Sequence, residues 1–76
     1  MEQEKIKAYY QMWSEAWKQL HRWLAEFQDD ESFWQKVYQD AELFSEKYKQ
    51  TDIKKFADRI VIDMAEELER VAKERG

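Results

Sequence analysis

The sequence predicts an all-α fold, an antiparallel three-helix bundle with an aromatic-rich core. Three observations carry that prediction. Apolar residues recur at helical spacing in three blocks. Two short polar segments, 28–32 and 50–52, interrupt the pattern. The chain has no proline, and its one glycine is residue 76, so the residues that punctuate hairpins and glycine-rich loops are missing from the interior. The 76 residues are read as a single domain, residues 1–76, with helices at about 3–27, 31–49 and 52–74.

The first helix rests on a seven-residue frame. Ile6, Trp13, Leu20 and Phe27 share one position, Tyr9, Ala16 and Trp23 a second, and Tyr10, Trp17 and Leu24 a third. At 100° per residue these positions form a stripe about 100° wide, the width of a core-facing helix. Gln11, Ser14, Glu15, Lys18, His21 and Arg22 fill most of the opposite face.

The second helix begins after Gln28-Asp29-Asp30-Glu31-Ser32. Ser32 through Gln35 has the form of a capping box, and Asp29 and Asp30 are alternative caps, since an acid suits the positive end of the helix dipole. Trp34, Val37, Tyr38, Ala41, Phe44 and Tyr48 are expected inward. Thr51 or Asp52 caps the third helix. There Ile53, Phe56, Ala57, Ile60, Val61, Met64, Ala65, Leu68 and Val71 line one side. Its outer side sets Arg59 four residues from Asp63, Glu66 from Arg70, and Glu69 from Lys73, pairs that each add a few tenths of a kcal/mol.

Composition narrows the function. A chain this short buries only about 60 % of the surface its unfolded form exposes, so the four Trp, four Tyr and four Phe are needed first for the core. The absence of cysteine excludes disulfides and thiolate metal sites and fits a reducing cytoplasm. Apolar runs of at most three residues, such as Ile60-Val61-Ile62, argue against a membrane span, and the first residues lack the pattern of a signal peptide. The net charge of −4 belongs to residues 28–52, which carry seven acids and three bases, while the flanking segments are balanced.

Candidate chemistry is sparse. His21 is the only histidine, has no Glu three residues away and no second histidine at ligand spacing, and reads as a surface residue. Ser14, Ser32 and Ser45 lack the adjacent base that a nucleophile requires. Asp29-Asp30-Glu31 lacks the spacing and glycine of a calcium loop. No catalytic, metal or cofactor-binding residue is assigned, and the chain is expected not to be an enzyme. Lys47, Lys49, Lys54, Lys55 and Arg59 form the one basic cluster, diluted by Glu46, Asp52 and Asp58, and offer a weak nucleic-acid surface. The charge-balanced, Trp-rich first helix lacks the cationic face of an interfacial membrane helix.

Two sets of residues are left for partners. Leu43 and Ile62 lie about 140° from the centres of their apolar stripes, and Phe33 and Met12 lie at the margins of theirs. Together they form a candidate patch for another protein or for a homodimer. Asp29, Asp30, Glu31, Asp40, Glu42 and Glu46 form a candidate acidic docking face for a basic protein surface.

The order Ala8-Tyr9-Tyr10, Trp13-Ser14-Glu15-Ala16-Trp17-Lys18, Phe33-Trp34 and Glu67-Leu68-Glu69-Arg70 resembles small helical proteins of phages and mobile elements in Gram-positive bacteria. The resemblance implies no reaction and no cofactor. It implies a small accessory protein that binds another macromolecule, with nucleic-acid binding, or inhibition of a nucleic-acid-binding protein, as the alternative role. A designed bundle is the other origin compatible with the missing proline, but the Gln-rich surface and four Trp differ from an idealised design. The expected function is therefore non-enzymatic, through protein–protein interaction or self-association.

Overall fold

The computed structural model describes residues 3–75. It is all-α, with α1 at Gln3–Ala25, α2 at Glu31–Lys47 and α3 at Lys54–Arg75. These limits fall within two residues of those expected from the sequence. Together the three helices form a rod of 45 × 18 × 16 Å.

Cross-helix partners fix the topology. Glu26 pairs with Lys36, Trp23 with Asp40, and Glu15 with Lys47 and Tyr48, so α1 and α2 run antiparallel. Tyr9 and Trp13 both pack edge-on against Phe56, near the start of α3, with centroids 5.7 and 5.8 Å apart. Further along, Leu20 lies level with Met64 and Glu67, so α1 and α3 run parallel. The order is up-down-up. Helices α2 and α3 make the closest backbone packing, and α1 sits against α3 more openly.

The helix ends are closed by local donors and acceptors. Asp30 is the N-cap of α2, and its Oδ1 accepts from the Phe33 N–H at 2.8 Å. Ser32, one residue inside the helix, is exposed and is not the cap. Asp30 sits where the backbone is extended, which lets its side-chain oxygen reach over the first turn to the exposed N–H groups there. Thr51 turns its hydroxyl to the Tyr48 carbonyl at 2.8 Å, closing α2 rather than opening α3.

The core contains Met12, Ala16 and Trp23 from α1, Phe33, Val37 and Phe44 from α2, and Ala57, Val61, Met64 and Leu68 from α3. Tyr48 and Ile53 from the second connection complete it. Every expected inward residue of α3 is buried or half-buried. On α2, Tyr38 is instead exposed. At the turn between α1 and α2, Phe27, Phe33 and Trp34 form a cluster of edge-to-face rings, with centroid separations of 5.2 to 6.3 Å.

Helix α1 differs most from the sequence reading. Met12 is fully buried, not marginal, whereas Ile6, Tyr10, Trp13, Trp17 and Leu24 are exposed. From Met12 to Tyr10 the apolar arc of α1 covers about 160° at 100° per residue. Two neighbouring helices cover only the part centred on Met12, Ala16 and Trp23. The rest faces outward.

Candidate functional site: the outer face of α1

The uncovered part of α1 is one continuous line. Ile6, Tyr10, Trp13, Trp17 and Leu24 recur at spacings of three, four and seven residues, which keeps them on one side of the helix. Tyr10 is 74 % exposed, Trp17 62 % and Trp13 50 %. With about 200 Å² for an aromatic side chain and less for an aliphatic one, the exposed fractions amount to roughly 550 Å². Isolated exposed apolar residues are ordinary, but a contiguous patch of this size stands at the upper end of the about 300–600 Å² found on monomers.

Beside the line runs a groove of about 280 Å³ between α1 and α3. Trp13, Ala16, Trp17 and Leu20 form its α1 wall, and Ile60 and Met64 its α3 wall. Asp63 and Glu67 edge it with carboxylates. Trp13 rests edge-on against Phe56 at one end of the groove, and small Ala16 leaves its floor low. Trp17 extends over His21, ring centroids 6.0 Å apart, at the open side.

The other flank of α1 is different. Polar contacts run along it to α2 and the connection after α2: Lys5 to Asp52 at 3.6 Å, Glu15 to Lys47 and Tyr48, Trp23 and Gln19 to Asp40, and, just past the end of α1, Glu26 to Lys36 at 2.9 Å. Burial acts to raise the Glu15 pKa, but the hydrogen bonds from Lys47 and Tyr48 and the charges of Lys47 and Lys18 outweigh it, so the carboxyl lies below its ordinary value. The Tyr48 phenol is pushed well above its ordinary value, by burial first and then by the adjacent Glu15 carboxylate. It remains a neutral donor to an ionised acceptor, 2.7 Å away. These contacts orient α1 so that its uncovered apolar line points away from α2.

The residues singled out from sequence do not assemble as one patch. Met12 is 0 % exposed and Phe33 is buried beneath the rings of Phe27 and Trp34, so neither is available to a partner. Leu43 and Ile62 are exposed, but Leu43 flanks the α1–α2 seam opposite Gln19 and Arg22, whereas Ile62 lies on the outer side of α3. No groove among the described residues is lined by both.

The acidic set is also divided. Asp30 caps α2, Asp29 accepts from the Trp34 indole at 2.9 Å, and Asp40 accepts from Trp23 at 3.0 Å and Gln19 at 3.3 Å. Glu31, Glu42 and Glu46 stay exposed. Of the basic cluster, Lys47 is held by Glu15, Lys49 lies 3.9 Å from Glu46, and Lys54 lies 2.9 Å from Asp58. The Asp58 pKa is lowered by the Ser45 hydroxyl and then by Lys54. Only Lys55 and Arg59 of that cluster have no ion pair among the described residues; the other three lysines lie beside carboxylates.

On α3 the expected pairs Arg59–Asp63, Glu66–Arg70 and Glu69–Lys73 do not form. Arg70 instead takes Glu67 and Glu74. A fork-shaped guanidinium gains more from two carboxylates on either side of it than from one. Glu66 is thereby left without Arg70, and Arg59, Asp63 and Glu66 are exposed, with no ion pair among the described residues, on the side of α3 next to the groove.

His21 is exposed, and among the described residues no three His, Cys, Asp or Glu side chains gather as a metal site. Nor is any described helix long and apolar enough to cross a membrane. The length of the first helix alone predicts that it outruns its neighbours and leaves rings uncovered, but with Met12 set outside the stripe the sequence does not show which rings these are. Counting it inside widens the arc beyond what two neighbours cover, and that excess is the signal. Compared with protein-family models, curated proteins and solved structures, the chain matches none.

Proposed function

We propose that this protein is a non-enzymatic binding module whose working surface is the outer face of α1 with the adjoining groove. One observation carries the reading: Tyr10, Trp13 and Trp17, with Ile6 and Leu24, remain exposed in a domain short of core material. A chain of this size gains most by burying its largest side chains. Three large rings held outward on a rigid helix therefore favour a surface that is covered when the protein works. Aromatic residues of this kind dominate the energetics of interfaces, because each removes a large area from water at little entropic cost.

The test compares two double variants with the tagged wild type. Tyr10→Ser/Trp17→Ser removes the face, and Leu43→Ser/Ile62→Ser alters exposed apolar residues elsewhere. Helicity by circular dichroism stays at the wild-type level in both. Stoichiometric complexes, whether with this chain or another protein, are sized by light scattering. They disappear with the first variant and persist with the second. Undiminished assembly by the Tyr10→Ser/Trp17→Ser protein refutes the reading.

A further inference from the structure

We infer that the occupant of this face is a second copy of the same chain, packed antiparallel across a two-fold axis. The inference rests on the reading that the face is an interface and adds what covers it. A two-fold interface must be self-complementary, and when the axis crosses the helices the residue at one end of the patch meets the residue at the other. The α1 line satisfies this about the level of Glu15. Reversed about that level, Ile6 falls over Leu24, Tyr10 over the half-buried Leu20, and Trp13 over Trp17. Each apolar side chain meets an apolar one of the second copy.

The same axis matches the charges of α3. Tyr9 stands beside Phe56, so the level of Glu15, six residues further along α1, corresponds to Ile62 on α3. Reversal about that level sets Arg59 between Asp63 and Glu66 of the second copy, and the reciprocal contact repeats below it. Among the described residues, these charges of the stretch have no ion pair. A two-fold axis along the helices would instead allow the Trp face of α1 to meet this charged face of α3. Area agrees with the assignment. The apolar line offers roughly 550 Å², and the charged strip of α3 beside it brings each side toward the about 800 Å² buried per partner in a standard interface.

Light scattering and site-directed cross-linking test the inference. The wild type at about 100 µM has twice the 9.4 kDa chain mass, and Trp17→Glu, with unchanged helicity, returns it to 9.4 kDa. Because the chain has no cysteine, single replacements report the arrangement directly. Ser14→Cys places the two thiols within about 3 Å of the same level along the helices, whereas His21→Cys leaves them about 18 Å apart. A short bis-maleimide therefore links Ser14→Cys and spares His21→Cys. Equal linking of both overturns the antiparallel arrangement. A wild type that stays at 9.4 kDa overturns the second copy as occupant. If Tyr10→Ser/Trp17→Ser then still abolishes a complex with another protein, the binding face stands and this assignment alone falls.

Discussion

Removing the Asp40 carboxylate should destabilise the fold through a single buried donor. The Trp23 indole is 2 % exposed, and its Nε1–H has Asp40 Oδ2, 3.0 Å away, as its acceptor. In Asp40→Ala that donor loses its partner in a site with little access for water. A hydrogen bond to a charged group contributes about 1.5–3 kcal/mol, and stranding a buried donor costs about 1–3 kcal/mol. Asp40 is half-buried and holds Gln19 as well at 3.3 Å, so a loss of about 2 kcal/mol is expected. For a domain of this length that lowers Tm by roughly 8–16 °C. Asp40→Asn retains a carbonyl acceptor and should lose less than half as much. In a double-mutant cycle, Trp23→Phe removes the donor, and the coupling with Asp40→Ala should be about 1–2 kcal/mol. Thermal and urea denaturation followed by circular dichroism measure the wild type and all four variants. If Asp40→Ala lies within about 0.5 kcal/mol of wild type, the bond is not a stabilising contact. If Asn proves as harmful as Ala, acceptor geometry is not the cause.

Three further outcomes follow from burial, capping and ionisation. Met12→Ala should cost about 2–5 kcal/mol in urea denaturation, while Leu43→Ala on the exposed side of α2 stays within about 0.5 kcal/mol. Asp30→Ala should cost about 1 kcal/mol by removing the α2 cap, and Ser32→Ala should leave the unfolding midpoint almost unchanged. Glu15 has a folded-state pKa below its ordinary 4.5, so its contribution is present above 4.5 and is lost as pH falls through the lowered folded value. Stability should therefore decline below about pH 4.5, and Glu15→Gln should flatten part of that decline when midpoints at neutral and acid pH are compared.

The three helices are legible because each has a strong period and a clear polar break, and the apolar side of α3, though not its ion pairs, is legible side chain by side chain. Its apolar stripe is narrow enough to have one orientation. That of α1 is not. Periodicity gives the direction of an arc but not which part of it a neighbour covers, so Trp13 and Trp17 looked as central as Trp23, and Met12 looked peripheral. The cap of α2 had three candidates within four residues, and only backbone geometry separates Asp30 from Ser32. Asp40 was counted with the surface acids because its indole donor lies seventeen residues away on another helix. Arg59 and Asp63 have suitable helical spacing, yet spacing alone does not supply the contact. The α1 surface depends on all of these at once: where α2 holds α1, where Trp13 meets Phe56 of α3, and what remains uncovered.

The four tryptophans also give the protein an internal optical record of its own state. Trp23 is buried and hydrogen-bonded, Trp34 is half-buried against two phenylalanines, and Trp13 and Trp17 face outward. Indole emission moves to the blue in dry, apolar surroundings and to the red in water. Covering the α1 face should therefore shift the red part of the spectrum to the blue and leave the blue part in place. Loss of the core should move the blue part to the red. Association and unfolding thus leave spectral signatures of opposite sign in an unlabelled chain.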